Sequence, residues 1–121
     1  MENVNLGRNE KYGERVDLKT TIYNLRQIIY ESKERGIIKR NTINRRISAM
    51  LCRLDSQCEI GTGGFVPRKI NSIEDLYLFS PEEIKEDFWG YKEKTWRGLN
   101  EILKHFNLPS IDLPEEYIEN S

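Results

Sequence analysis

The sequence predicts an all-α protein in two parts. Three observations predict it. Apolar residues recur at helical spacing over residues 16–35, 42–54 and 95–106. Glycine and proline gather between those stretches, at Gly36, at Gly61, Gly63, Gly64 and Pro67, and at Pro109. No segment sustains the apolar–polar alternation of a half-buried strand. The expected layout is an arm over 1–15, a helical hairpin over 16–60, a glycine-rich linker over 61–69, a compact helical domain over 70–108 and an acidic tail over 109–121.

Residues 1–15 are rich in Asn, Glu, Lys, Arg and Gly and read as a mobile arm. The first helix is expected from Val16 to Arg35. Leu18, Ile22, Leu25 and Ile29 are spaced four, three and four apart and form one apolar stripe, flanked by Ile28 and Tyr30. That stripe is a candidate homodimer face. Gly36 supplies the stop. After a short link, Asn41 or Thr42 can cap a second helix, because a side-chain oxygen there accepts a bond from a first-turn N–H. Ile43, Ile47, Met50, Leu51 and Leu54 form its apolar face, and it is expected to fade near Cys58.

Ser72, with Asp75 three residues on, marks another short helix. Ser80-Pro81-Glu82-Glu83 is a stronger start, with an N-cap serine, proline at the first helical position and glutamate at the capping-box position. Thr95 is expected to open the last helix, with Trp96, Leu99, Ile102, Leu103 and Phe106 as its apolar positions. Leu108-Pro109 ends it. In the tail, Ile111, Leu113, Tyr117 and Ile118 are apolar enough to pack back.

A chain of 121 residues makes one domain or two very small ones. The formal net charge of −1 leaves no global field to drive the chain onto nucleic acid. The charges are nevertheless segregated. From Lys33 to Arg53 the basic residues are Lys33, Arg35, Lys39, Arg40, Arg45, Arg46 and Arg53, and Glu34 is the single acid. From Asp112 to Glu119 every charge is acidic. No basic run precedes an apolar core at the N-terminus and no apolar run reaches membrane-spanning length, so a cytoplasmic protein without membrane contact is expected. Cys52 and Cys58 are six apart in an expected helix, which would place them on different faces. They form no CxxC pair and are read as buried thiols, with no metal site.

Ile70 to Leu108 resembles the C-terminal domain of the bacterial RNA polymerase α subunit and its helix-hairpin-helix relatives. Ile70-Asn71-Ser72-Ile73-Glu74-Asp75-Leu76 is similar to that family's INTVxDL segment. Phe79-Ser80-Pro81-Glu82-Glu83-Ile84 is similar to its LSEEDL helix start. Phe88-Trp89-Gly90-Tyr91-Lys92-Glu93-Lys94-Thr95 is similar to its hairpin, an apolar-x-Asn-Phe-Gly-x-Lys-Ser pattern, and Leu99 and Leu103 continue the helix that follows. The resemblance covers about a third of the chain. It implies that Lys92, Lys94, Thr95 and the N–H groups after Gly90 face phosphate, with Arg97 nearby. Many such motifs read Gly-apolar-Gly, and here lysine replaces the second glycine. Lysine adopts positive φ at a cost. Lys92 therefore either bends the turn differently or replaces a backbone phosphate contact with its charge. Glu86, Asp87 and Glu93 oppose that contact.

Ser32 to Ile47 resembles a helix-turn-helix, with a glycine-apolar turn at Gly36-Ile37 and a polar second helix carrying buried aliphatics. Lys39, Arg40, Asn41, Asn44, Arg45 and Arg46 would then be the nucleic-acid contacts. The turn is about one residue longer than the usual pattern, and the competing reading is an antiparallel helix pair with a solvated basic face.

Catalysis has little support. His105 is the single histidine and sits in the last helix near an apolar face. Gly61-Thr62-Gly63-Gly64 lacks the Gly-Lys-Ser/Thr of a P-loop and reads as linker. Glu82, Glu83, Glu86 and Asp87 fit helix-dipole and solubility roles. Trp89 and Trp96 read as core. The expectation is a small non-enzymatic, cofactor-free protein that contacts DNA phosphates through the basic segment and the hairpin. The alternative is a protein-docking module, on RNA polymerase itself in one version, which responds to changes at Tyr91 or Lys92.

Overall fold

The computed structural model describes residues 8–9, 14–34, 36, 45–58 and 66–119. These are predominantly helical. Strands β1 (Arg8–Asn9) and β2 (Glu14–Arg15) form an antiparallel pair in the arm, with Arg8 opposite Arg15 and Asn9 opposite Glu14. The helices are α1 (Ile22–Glu34), α2 (Arg45–Leu54), a 3₁₀ helix (Ile73–Leu78), α3 (Pro81–Asp87), α4 (Glu93–His105) and α5 (Glu115–Glu119). No helix among the described residues is long and apolar enough to cross a membrane.

α1 begins at Ile22, six residues later than the expected start at Val16. Asp17 and Thr20 make a turn instead, in which the Thr20 hydroxyl accepts from the Asp17 N–H at 2.9 Å and the Thr20 N–H donates to the Asp17 carbonyl at 3.0 Å. Such side-chain bonds compete with helix. Thr21 then caps α1, accepting from the Asn24 N–H at 3.0 Å. The backbone just before α1 bonds across the molecule: Ile22 N–H to Asn71, Ile73 N–H to Thr20 and Glu74 N–H to Leu18, each at 2.9 Å. At the far end, Gly36 takes the left-handed φ of 74° expected of a helix stop.

α2 ends at Leu54, short of Cys58, because its carboxyl end pairs with residues near 70. Ile70 N–H donates to the Leu54 carbonyl at 2.6 Å and Ser56 N–H to Ile70 at 2.9 Å. α1 packs on α2, and α2 packs on α4. The two expected parts thus share one core. Ile22, Leu25, Ile47, Met50, Leu51 and Leu54 are buried in the same cluster as Leu76, Ile84, Trp96, Leu99 and Ile102. Burying each such side chain stabilises the fold by about 1.5–3 kcal/mol.

The proposed dimer stripe is consumed by this core. Ile22, Leu25 and Ile29 are buried within the chain, and only Leu18 is exposed, at 39%. A second copy has no stripe to meet, because the spacing that marks a buried face does not say which partner buries it.

The caps read at Ser80 and Ser72 differ in detail. The Ser80 hydroxyl accepts from the Glu83 N–H at 3.1 Å, with Pro81 at the first position of α3. At Ser72 the Asp75 carboxylate does most of the work, accepting from the Asn71 and Ser72 N–H groups at 3.1 and 3.2 Å. α4 ends in a left-handed Asn107 (φ 63°), with Asn107 N–H bonded to Lys104 and Leu108 N–H to Leu103, each at 2.9 Å. The tail packs back: Ile111, Leu113 and Tyr117 are buried and Ile118 is exposed. Asn100 clamps Ile111 with both side-chain atoms, accepting from its N–H at 2.7 Å and donating to its carbonyl at 3.2 Å.

Candidate nucleic-acid interface

The turn between α3 and α4 is held from beneath by aromatic rings. Phe88 stands edge-on to both Phe79 and Trp96, with centroids 5.0 and 4.9 Å apart. Phe88 and Tyr91 are buried, so the turn is anchored on both sides of Gly90. Gly90 adopts φ 80°, a left-handed value that favours glycine. Lys92 does not need that conformation. It is the N-cap of α4 with φ −108° and ψ −159°, ordinary extended backbone. Losing the second glycine of the resembled motif therefore costs no backbone strain here.

α4 starts at Glu93, two residues before Thr95. The Thr95 and Trp96 N–H groups both donate to the Lys92 carbonyl, at 3.1 and 3.2 Å. Glu93 and Lys94 occupy the first helical positions, whose amides point outward as at any helix start. Glu93 also contributes a carboxylate there, which bonds Arg97 at 2.9 Å.

The basic segment reaches this turn directly. Arg45 and Arg46 are exposed in the first turn of α2. Arg46 donates from Nη2 to the Gly90 carbonyl oxygen, and its guanidinium lies 5.0 Å from the centroid of the Tyr91 ring. Neither of these two partners is an anion, so among the described residues the contacts shown do not neutralise the positive charge. A guanidinium has five N–H donors, and a single carbonyl leaves most of them for another acceptor. Two stretches that sequence reading treated as rival contacts are thereby adjacent.

The ten residues expected at the interface sort as follows. Arg45, Arg46, Gly90, Lys92 and Lys94 are exposed around the α2 start and the turn. Arg97 is half-buried and paired with Glu93. The Thr95 side chain is buried and cannot face phosphate, because it shares a helix face with Leu99, which is fully enclosed. Lys39, Arg40 and Asn44 lie outside the described residues, as does Asn41. Setting aside the Arg97–Glu93 pair, Arg45, Arg46, Lys92 and Lys94 stand against Glu86 and Asp87, an excess of two positive charges by side-chain count.

Sequence reasoning also misplaced two aromatic residues. Trp89 is 70% exposed on the turn, whereas Trp96 is fully buried. Tyr91, expected as a surface docking position, is 1% exposed beneath Arg46. With Phe88 and Tyr91 both turned inward, the residue between Phe88 and Gly90 is left outside. No periodicity in so short a turn signals this.

Other chemistry is sparse. His105 is exposed and edge-on to Phe106, with centroids 4.9 Å apart. No group of three or more metal-ligating side chains occurs among the described residues. No protein-family profile, curated protein or solved structure matches the chain.

Proposed function

We propose that this chain is a small non-enzymatic nucleic-acid-binding protein, transcription-associated by its resemblance to the polymerase α C-terminal domain. It reads as a helix-hairpin-helix unit whose turn, with the start of α2, contacts DNA phosphates. The observation that carries this reading is Arg46 on Gly90, which joins the basic segment to the turn. Arg45, Arg46, Lys92 and Lys94 then supply the cations, and the outward amides of Glu93 and Lys94 supply uncharged donors. About four phosphate contacts would give a slope of log K against log salt of roughly −3 to −4.

The test is a fluorescence anisotropy titration of a labelled random duplex at low and moderate salt. Binding that weakens along that slope supports the reading, and Arg45→Ala with Arg46→Ala lowers both affinity and slope. Retained binding in that double variant removes the α2 contribution, and no binding at low salt sinks the reading altogether.

A protein-docking role is the second reading. It draws on Trp89 and Leu78, each 70% exposed, since large apolar side chains of this kind anchor protein interfaces. A docking surface would respond to Trp89→Ala and ignore Arg45→Ala with Arg46→Ala.

A further inference from the structure

Cys52 and Cys58 do not sit where helical spacing puts them. Six residues along a continuous helix would turn about 240° and separate the two side chains. α2 instead stops at Leu54, and the chain folds back over Asp55, Ser56 and Gln57. Cys58 N–H donates to the Asp55 carbonyl at 3.0 Å, and Gln57 N–H donates to the Asp55 carboxylate at 2.9 Å. Lys69 Nζ holds the Cys58 carbonyl at 2.7 Å from the other side. The two Sγ atoms are left 2.8 Å apart. That is roughly 0.8 Å longer than a disulfide bond.

We infer that Cys52 and Cys58 are a thiol modification site that closes into a reversible intramolecular disulfide, with a small disulfide of the glutathione type as oxidant. Three features support this over a pair of packed thiols. The turn that brings the sulfurs together is fixed by backbone and side-chain bonds, so closure needs little backbone movement. Both cysteines are only partly buried, so a small reagent can reach them. The Arg26 guanidinium, bonded to Asp55 at 2.7 Å, lies near both sulfurs and places a positive charge there that disfavours a metal cation. Burial and the hydrogen bond shared with Cys58 push the Cys52 thiol upward, and Arg26 works against them.

The exchange balances in two steps. One cysteine gives its proton to water, and its thiolate attacks the small disulfide. A protein–small-molecule S–S bond forms and one small thiolate leaves. The second cysteine loses its proton and attacks the protein sulfur of that mixed disulfide, forming the Cys52–Cys58 bond and expelling the second small thiolate. The protein loses two protons and two electrons, and the small disulfide leaves as two thiols once its sulfurs take up protons.

The test uses the full chain, reduced and then equilibrated with rising ratios of oxidised to reduced glutathione. Acid quenching, maleimide alkylation and intact mass follow. The expected result is the joint loss of both alkylatable thiols, with a mass lower by two hydrogens and no retained glutathione. C52S and C58S, each with one thiol, should carry a glutathione adduct at the same ratios. Retention of both thiols at ratios that modify the single-cysteine variants overturns the inference. So does a stable double adduct, or a dimer on a non-reducing gel. If either variant fails to fold, the mass of the unaltered chain still decides.

Discussion

Arg46 in the first turn of α2 donates to the carbonyl oxygen of Gly90, 44 residues further along the chain. The bond fixes the start of one helix against the turn that opens another, and its guanidinium also covers the ring of Tyr91. Gly90→Ala tests what the turn requires. A Cβ there would lie 2.6 Å from Arg46 Nη2, but that atom is the far end of a flexible side chain and can swing away. The left-handed φ is the larger obstacle. The substitution should cost about 1–2 kcal/mol in urea unfolding, with nearly the same loss in an Arg46→Ala background. Full rescue by Arg46→Ala would show that the steric contact dominates.

Lys92 and Lys94 should act as phosphate charges and not as base readers. Each change to alanine should weaken duplex binding to all sequences alike and lower the salt slope by about 1. Thr95→Val should leave the binding unchanged, because the Thr95 side chain is enclosed. Anisotropy on two unrelated duplexes checks both statements.

The tryptophans separate core from surface. Trp96→Ala should cost about 3–5 kcal/mol, the loss expected for a fully buried aromatic. Trp89→Ala should stay within about 0.5 kcal/mol, as an exposed position does. Acrylamide should quench Trp89 emission and spare Trp96. If DNA docks on the turn, the Trp89 signal should become protected when duplex is added.

The buried ion pair should respond unequally to the loss of either partner. Asp55 is 1% exposed and accepts from Arg26 at 2.7 Å, while the Arg26 side chain keeps 25% of its surface in water. Partial burial works most strongly on Arg26 and opposes its charge, but the bond to Asp55, the neighbouring Cys52 and Cys58 sulfurs and the Asp55 charge together offset it and hold the guanidinium above its ordinary pKa. Arg26→Met strands a buried carboxylate and should cost about 3 kcal/mol. Asp55→Asn leaves a cation that can rehydrate and should cost less. Equal losses by chemical denaturation would contradict this asymmetry.

α5 is tied to α3 by Lys85 and Glu116, 2.9 Å apart. The bond to Lys85 holds the Glu116 carboxyl below its ordinary value of 4.5, and the bond to Glu116 holds Lys85 above 10.5. The depressed carboxylate contributes above its unfolded pKa, and that contribution fades as pH falls through the folded one. The raised ammonium contributes below its unfolded pKa and fades as pH rises through the folded one. Glu116→Gln should therefore lower the melting temperature near neutrality and converge with the unaltered chain in acid. A difference that persists in acid would assign the effect to something other than charge.

Local chemistry was legible in the sequence. The buried faces of α1, α2 and α4, the Ser80-Pro81 start and the left-handed positions at Gly36 and Gly90 all depend on neighbours within a few residues. Such interactions leave a trace in spacing and residue type. Tertiary structure decided what each face meets. It drew residues 18–21 away from α1 to lie against residues near 72, merged the two expected parts into one core and spent the dimer stripe inside it. It also buried Thr95 and Tyr91, exposed Trp89, folded Cys58 back onto Cys52 and set Arg46 on Gly90. Those outcomes rest on contacts between distant residues or on the path of a turn. Periodicity says only that a face is covered, and a turn of a few residues has no periodicity to read.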